Sequence, residues 1–173
     1  PEPDLVEIIS KYGEERLAKK IASFIVRARS KALIKTTTEL AALIYEAYGS
    51  EVRYTKIHPA TKTFQAIRIF INDELLEIET LLEKSIGLLN SGGRLVCVSF
   101  HSLEDGIVKE FLLNHSRHKQ KKNKYAEFSK STKPETVEYD FEILSKEVVV
   151  PTEIEVKENV RSRSARLRVA KRT

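Results

Sequence analysis

Polar and charged side chains concentrate in three short stretches of this sequence. Residues 58–68 read His-Pro-Ala-Thr-Lys-Thr-Phe-Gln-Ala-Ile-Arg and fall where a helical pattern begins. Residues 99–105 read Ser-Phe-His-Ser-Leu-Glu-Asp, and residues 159–168 read Asn-Val-Arg-Ser-Arg-Ser-Ala-Arg-Leu-Arg. The first turn of a helix has free N–H groups and a positive dipole end, which attract anions. The first stretch is therefore a candidate site for a phosphate or a base.

Two interpretations of the first stretch remain open. The stretch can bind a phosphate or a base through Lys62, Arg68, Gln65 and the threonine hydroxyls. Alternatively, Thr63 caps the helix and both cations are solvated. Physical arguments alone favour the second interpretation, because caps and surface charges are common outcomes.

The second stretch contains a histidine, two serines and two carboxylates. A Ser-His-acid hydrolase needs a base oriented by a third group, and adjacency in sequence does not supply that geometry. The sequence also has no Gly-x-Ser-x-Gly elbow. The simpler prediction is a helix capped by Ser102, with Glu104 and Asp105 complementing its dipole.

The third stretch alternates arginine with small polar residues. A strand here would place Arg166 and Arg168 on one face, where they can grip a phosphate backbone or protect a charged edge strand from aggregation. The chain has 30 Lys and Arg against 25 Asp and Glu, a net charge of +5. This excess is compatible with nucleic acid but does not require it.

Metal and disulfide chemistry are not expected. The four histidines do not reproduce a familiar metal-ligand spacing, so we predict no metal site. The single cysteine, Cys97, excludes a disulfide framework and suits a reducing compartment. No apolar run approaches the length of a membrane span.

Apolar spacing predicts a small helical unit over residues 1–49. Helices are expected over 4–12 and 14–29, and the capping-box spacing of Thr36 and Glu39 predicts a third that ends at Gly49. The cations of the second helix are either solvated or in contact with RNA. From residue 63 the pattern predicts one long helix, or two divided near Asp73.

The rest of the chain has the rhythm of a parallel α/β sheet. A Gly-Gly turn precedes the apolar run 95–98, which predicts a strand buried on both faces. A helix follows from Ser102, a mobile loop is expected over 115–138, and closing strands are expected over 141–150 and 165–170. Ligands of such sheets bind at the carboxyl ends of strands, which is where residues 99–105 would lie.

Taken in order, the three stretches are similar to those of the RsmH (MraW) family. Gly-Gly-Arg-Leu at residues 92–95 also matches, as does Lys-Tyr-Gly-Glu-Glu-Arg at residues 11–16, which is followed by a basic helix and Thr-Thr-Thr-Glu-Leu as in the family's helical insert. The resemblance covers nearly the whole chain.

The resemblance implies an S-adenosylmethionine-dependent methyltransferase that acts on the N4 amino group of a cytidine in small-subunit (16S) ribosomal RNA. It implies an α/β fold, the C-terminal half of a class I (Rossmann-like) methyltransferase sheet, preceded by a small all-helical insert domain. The insert would span residues 1–54, and 55–173 would belong to the methyltransferase domain. The expected partner is small-subunit ribosomal RNA or the 30S subunit, in the cytoplasm and away from membranes.

The resemblance also implies a set of substrate- or RNA-binding residues, with no catalytic base assigned. These are His58, Lys62, Thr63, Gln65, Arg68, Asn72, Ser99, His101, Ser102, Glu104, Asp105, Arg161, Arg163 and Arg166.

One departure from the family is large. The Gly-x-Gly-Gly-His-Ser cofactor loop and the Asp-Leu-Gly strand end do not occur in these 173 residues, and Gly106 stands where many relatives have arginine. We therefore expect no cofactor-binding residue here, and a partial enzyme that is inactive alone. The chain also lacks methionine, which hints at a fragment. The alternative is a non-catalytic RNA-binding or assembly module. A truncated sheet would expose an apolar edge that invites self-association.

Overall fold

The structure is a computed structural model that describes residues 1–55, 57–116, 139–145 and 147–173. Most of the loop expected over 115–138 lies outside these residues. The chain divides into two compact units, Pro1–Glu74 and Leu75–Thr173. No helix among the described residues is both long and apolar enough to cross a membrane.

The first unit is entirely helical. Its elements are α1 (Glu2–Gly13), α2 (Ala18–Lys31), α3 (Thr37–Tyr48), a 3-10 helix (Gly49–Tyr54) and α4 (Thr61–Asn72). The predicted capping box is confirmed: the Thr36 hydroxyl accepts a hydrogen bond from Glu39 N, and the Glu39 carboxylate accepts one from Thr36 N. The expected start of the second helix at residue 14 is wrong. Glu14 ends α1 in a left-handed conformation (φ 48°), so α2 begins only at Ala18.

Isoleucines dominate the core of the helical unit. Ile9, Ile21 and Ile44 are fully buried and pack together with Ile25 and Tyr48. Because α1 and α4 pack closely, a Cβ atom at Gly13 would lie 2.7 Å from the Lys62 carbonyl oxygen. A glycine is therefore required at this contact.

Two helices in series follow residue 60, which resolves the alternative left open by the sequence. Asp73 adopts a left-handed conformation (φ 50°), which ends α4, and α5 (Glu74–Leu88) begins immediately afterwards. The Arg68 guanidinium spans this break with two hydrogen bonds to Glu74, of 2.7 and 2.9 Å.

The second unit combines helices with a three-stranded antiparallel sheet. After α5 come β1 (Arg94–Ser99), α6 (Ser102–His115), β2 (Phe141–Ile143), α7 (Glu153–Glu158), a 3-10 helix (Val160–Ser164) and β3 (Arg166–Arg172). The strand order is β1-β3-β2. Both pairings are antiparallel, with Val96 opposite Val169 and Ser99 opposite Arg166. The fold is thus mixed α/β, and the described residues contain no parallel strand pair within the sheet.

The expectation that β1 is buried on both faces is wrong. Leu95 and Cys97 face a core made with Leu82 of α5 and Phe111 of α6. The opposite face is open, and Val96 and Val98 are 56% and 55% exposed. The closing strands occur as predicted in outline, although β2 ends at residue 143. The sequence analysis missed α7, whose first turn is capped by the Thr152 hydroxyl.

Candidate functional site

A pocket of about 430 Å³, lined by both polar and apolar side chains, lies within the helical unit. The α1–α2 connection, the end of α3, the segment that begins at the last residue of the 3-10 helix and runs to Pro59, and the start of α4 contribute its walls. Its lining residues are Glu15, Arg16, Tyr48, Tyr54, Thr55, Ile57, His58, Pro59 and Lys62. The sequence analysis named only His58 and Lys62 among these. Arg16 does fall within the 11–16 stretch that matched the family, and this was the available signal for it.

A buried carboxylate forms the floor of the pocket. Glu15 Oε1 accepts a hydrogen bond from Leu17 N at 2.9 Å, and Oε2 accepts one from the Tyr48 hydroxyl at 2.6 Å. Burial, reinforced by the hydrogen bond to Glu15, raises the pKa of Tyr48 well above its usual value. The Tyr48 hydroxyl therefore remains a proton donor to Glu15 at all physiological pH values.

Cations and an aromatic ring surround the mouth of the pocket. Arg16 pairs with Glu51 at 2.6 Å, and Lys62 Nζ donates to the Glu14 carbonyl at 2.9 Å. His58 Nδ1 accepts from Ala60 N at 3.2 Å, which leaves the proton of a neutral ring on Nε2. The Tyr54 side chain is 81% exposed. This combination suits a ligand that is anionic at one end and flat at the other.

The remaining residues of the first stretch contact their own unit. Thr63 lies in the first turn of α4 and is fully buried, so it does not cap that helix, which begins at Thr61. Gln65 Nε2 donates to the Tyr12 carbonyl at 3.4 Å, and Asn72 Nδ2 donates to Glu74 at 3.3 Å. Together with the Arg68–Glu74 pair, these contacts hold α4 and its carboxyl end in place.

The second stretch caps helix α6. The cap is His101, not Ser102: His101 Nδ1 accepts a hydrogen bond from Glu104 N at 3.3 Å. Glu104 Oε2 accepts one from Phe100 N at 2.8 Å, and Oε1 lies 3.0 Å from His101 Nε2. The arrangement is reciprocal, as in a capping box, so these side chains first serve the start of the helix.

Asp105 joins helix α6 to strand β3. Its buried carboxylate accepts hydrogen bonds from Arg168 at 2.7 and 2.9 Å and from Arg166 at 3.0 Å. The hydrogen bonds from Arg168, and secondarily those from Arg166, lower the pKa of Asp105 against the opposing effect of burial. The Ser99 hydroxyl donates to the Arg166 carbonyl at 3.4 Å. Alternation correctly placed Arg166 and Arg168 on one face, but Arg168 was not among the predicted site residues.

Two arginines of the third stretch are available to a ligand. Arg161 and Arg163 lie on the 3-10 helix Val160–Ser164, and both are exposed. Neither forms an ion pair with a described residue. Their guanidinium groups can therefore meet phosphate without first losing a protein partner.

The glycine pair before β1 does not fit a cofactor loop. Gly92 N donates to the Arg172 carbonyl at 2.8 Å, and Gly93 N donates to the Asn90 carbonyl at 2.8 Å. Both amides are thus used to close the turn into the sheet, whereas a cofactor loop presents free amides to its ligand. The absence of a metal site stays a prediction.

The two units make up a helix-rich α/β protein with exposed cationic side chains in both. The whole chain, residues 1–173, matches the MraW methylase family, and it belongs to that family. The recognition made from the three sequence stretches is thereby confirmed.

Three similar proteins have the same name. The chain is 48% identical over 172 residues to the ribosomal RNA small subunit methyltransferase H of Sulfurihydrogenibium azorense, covering 99% of this chain and 52% of that protein. It is 47% identical over 169 residues to the protein of that name from Persephonella marina, covering 98% and 51%. For Orientia tsutsugamushi (strain Ikeda) the identity is 50% over 171 residues, covering 98% and 54%. The chain spans about half the length of the curated relatives it matches.

Proposed function

We propose that this chain is part of an S-adenosylmethionine-dependent methyltransferase that modifies N4 of a cytidine in small-subunit ribosomal RNA. The observation that carries the proposal is the 48% identity, over 99% of this chain, to a protein named ribosomal RNA small subunit methyltransferase H. The cofactor and the N4 position follow from the family resemblance of the three polar stretches.

The chemistry requires precise placement of the acceptor. The lone pair of N4 is delocalised into the cytosine ring, so the amino group must be held in line with the methyl donor and must lose a proton. S-adenosylmethionine would supply the methyl group. The glycine pair of this chain does not fit its binding loop, so we assign cofactor binding to another part of the active protein.

The compact units Pro1–Glu74 and Leu75–Thr173 do not coincide with the domains that the resemblance implies, because α4 packs with α1 in the first unit. We propose that residues 1–54 form the helical insert domain and that residues 55–173 belong to the methyltransferase domain. In this arrangement the remaining strands of a class I sheet add along the free edge of β1. The order β1-β3-β2 leaves that edge unpaired among the described residues, which supports the proposal.

Charge supports ribosomal RNA as the partner. Residues 16–38 contain seven cations and no acid: Arg16, Lys19, Lys20, Arg27, Arg29, Lys31 and Lys35. All seven are exposed. Arg161 and Arg163 add exposed cations in the second unit. Clustered exposed cations are the electrostatic footprint of phosphate binding, and with ribosomal RNA as the partner we propose a cytoplasmic location.

A second candidate is a non-catalytic RNA-binding or assembly module. One observation favours it: His101 Nδ1 and Glu104 Oε2 accept backbone hydrogen bonds at the start of α6, and the Asp105 carboxylate is held by Arg166 and Arg168. In this alternative the second stretch only builds the fold.

A complementation experiment separates the two candidates. The 173-residue chain would be titrated calorimetrically with S-adenosylmethionine, alone and fused to the complementary half of the Sulfurihydrogenibium azorense relative. Methylation of 30S subunits would be followed by mass spectrometry of N4-methylcytidine, with the intact relative as the control. We expect the chain alone to bind RNA but to release no heat on titration with S-adenosylmethionine. We expect the fusion to methylate 30S subunits. A fusion that binds the cofactor but leaves every cytidine unmodified would favour the module.

A further inference from the structure

We propose that the pocket of the helical unit holds one unstacked nucleotide of single-stranded RNA, with its base against Tyr54 and its phosphate on Arg16 and Lys62. The proposal rests on RNA being the partner, and it adds a nucleotide-binding site located wholly in the helical unit. The pocket residues come from four separate segments of that unit, so the site exists only in the folded protein.

The size and lining of the pocket fit a single nucleotide. A volume of about 430 Å³ lies within the range of small-ligand pockets. Ile57 and Pro59 supply apolar wall, and Thr55 and His58 supply hydrogen-bonding groups. Such a mixture matches a ribonucleotide, which has an apolar base face and many polar edges.

Tyr54 is an exposed aromatic ring at the mouth of this pocket. Its side chain is 81% exposed, and no ring contact to it occurs among the described residues. A tyrosine ring held in water by a short 3-10 helix contributes little to the core. Proteins that bind single-stranded RNA use such rings as platforms for bases.

The accessible charges of the pocket are cationic. Glu15 is buried, and both of its oxygens accept hydrogen bonds from within the unit, so the charged groups that a ligand can contact directly are Arg16 and Lys62. Arg16 is two-thirds exposed and uses one amino group on Glu51, and an exposed pair of this kind is weak in water. The Lys62 ammonium uses one of three donors on the Glu14 carbonyl. Both cations keep donors for a phosphate.

An acidic peptide would use the two cations but has no need of a flat exposed ring beside them. A free mononucleotide shares the chemistry of an RNA unit, so the experiment must separate these two sources. Tyr45 on α3 supplies a matched control, because it is also an exposed tyrosine (52%) and does not line the pocket.

The test measures the affinity of the full 173-residue chain for a fluorescein-labelled decaribonucleotide by fluorescence anisotropy at fixed salt. Tyr54→Ala is expected to weaken binding about tenfold, since stacking on one base contributes between about fivefold and somewhat more than a hundredfold. Tyr54→Gln should match it, Tyr54→Phe should retain affinity, and Tyr45→Ala should change affinity less than about twofold. Thermal melting must give the same midpoint for all variants.

Equal effects of Tyr54→Ala and Tyr45→Ala would overturn the proposal. Competition by cytidine monophosphate as strong as by the decamer would overturn the RNA assignment and identify a mononucleotide site. The same variants in the methylation assay separate this proposal from the proposed function. If the fusion methylates and Tyr54→Ala changes neither RNA affinity nor methylation, the pocket proposal alone is refuted. If Tyr54→Ala weakens RNA binding tenfold but the fusion never methylates, the enzymatic function alone is refuted.

Discussion

The Asp105 carboxylate on α6 and the Arg168 guanidinium on β3 form a two-point ion pair, with N···O distances of 2.7 and 2.9 Å. Arg166 adds a third hydrogen bond to the same carboxylate. The pair joins residues 63 positions apart in the sequence and anchors the first turn of α6 against the sheet. Asp105, which the sequence analysis assigned to substrate binding, thus has a structural role in this fold.

Replacing Asp105 with Asn should destabilise the protein markedly. The substitution keeps the shape of the side chain but leaves the guanidinium of Arg168, which is largely buried, without its counter-charge. Loss of one partner of a buried pair costs about 3 kcal/mol of unfolding free energy. Urea unfolding followed by circular dichroism measures this, and Glu110→Gln on the exposed side of α6 is the control, expected within about 0.5 kcal/mol of wild type. Equal midpoints for both variants would contradict the assignment.

The ion pair of Asp105 should make the unfolding free energy of the protein depend on pH in the acid range. Because the pKa of Asp105 is lower in the folded state, its contribution is fully present above the unfolded value of about 3.9. The contribution is lost as the pH falls through the folded pKa. The difference in unfolding free energy between wild type and Asp105→Asn should therefore shrink below about pH 4. Urea titrations at pH 6, 4 and 3 measure this difference, and a constant value would refute the prediction.

His101 is expected to act as a helix cap. His101→Ala removes the acceptor for Glu104 N and should cost about 1 kcal/mol of stability. His101→Asn supplies a good capping oxygen and should restore most of that loss. Thermal melting compares the two variants. Equal destabilisation by His101→Ala and His101→Asn would exclude capping as the main role of the ring. A hydrolytic activity that is lost in His101→Ala would instead support the hydrolase interpretation.

The open face of β1 should cause the isolated chain to self-associate. Val96 and Val98 expose apolar surface beside a strand edge that no described residue pairs with, a combination that templates pairing with another chain. Light scattering after size-exclusion chromatography should show species larger than a monomer at high concentration. Val98→Lys should shift the population towards monomer, whereas Val160→Lys, which lies off the sheet, should not. A wild-type chain that remains monomeric would remove this proposal.

Local rules predicted the helical unit well because its boundaries are encoded by neighbouring residues. Thr36 and Glu39 satisfy each other across one helical turn, so their spacing alone located the start of α3. The prediction of where α2 begins was wrong because Glu14 adopts a left-handed conformation, which is unusual for a glutamate and is not indicated by the sequence. The break at Asp73 could be suspected from a capping residue but not decided from the apolar period.

Tertiary contacts explain what the sequence could not predict in the second unit. The run 95–98 is apolar throughout, and periodicity alone cannot tell a strand covered on both faces from one with Val96 and Val98 open to solvent. The pairing of Asp105 with Arg168 depends on strand register, which no local pattern encodes. The pocket around Tyr54 likewise assembles from four segments that the sequence separates.

Arg161 and Arg163 should contribute to RNA affinity through charge alone. Both are exposed and form no ion pair with a described residue, so each phosphate contact they make releases counterions from the RNA. The double variant Arg161→Gln/Arg163→Gln should reduce the slope of log affinity against log salt by about 1.4, or roughly 0.7 for each contact with a single strand. Lys157→Gln on α7 removes an exposed cation outside the third stretch and should leave the slope unchanged. Anisotropy titrations between 50 and 200 mM salt, about the range over which such slopes are resolved, make the comparison. Equal slopes for the wild type and the double variant would show that the third stretch serves only to shape the turn into β3.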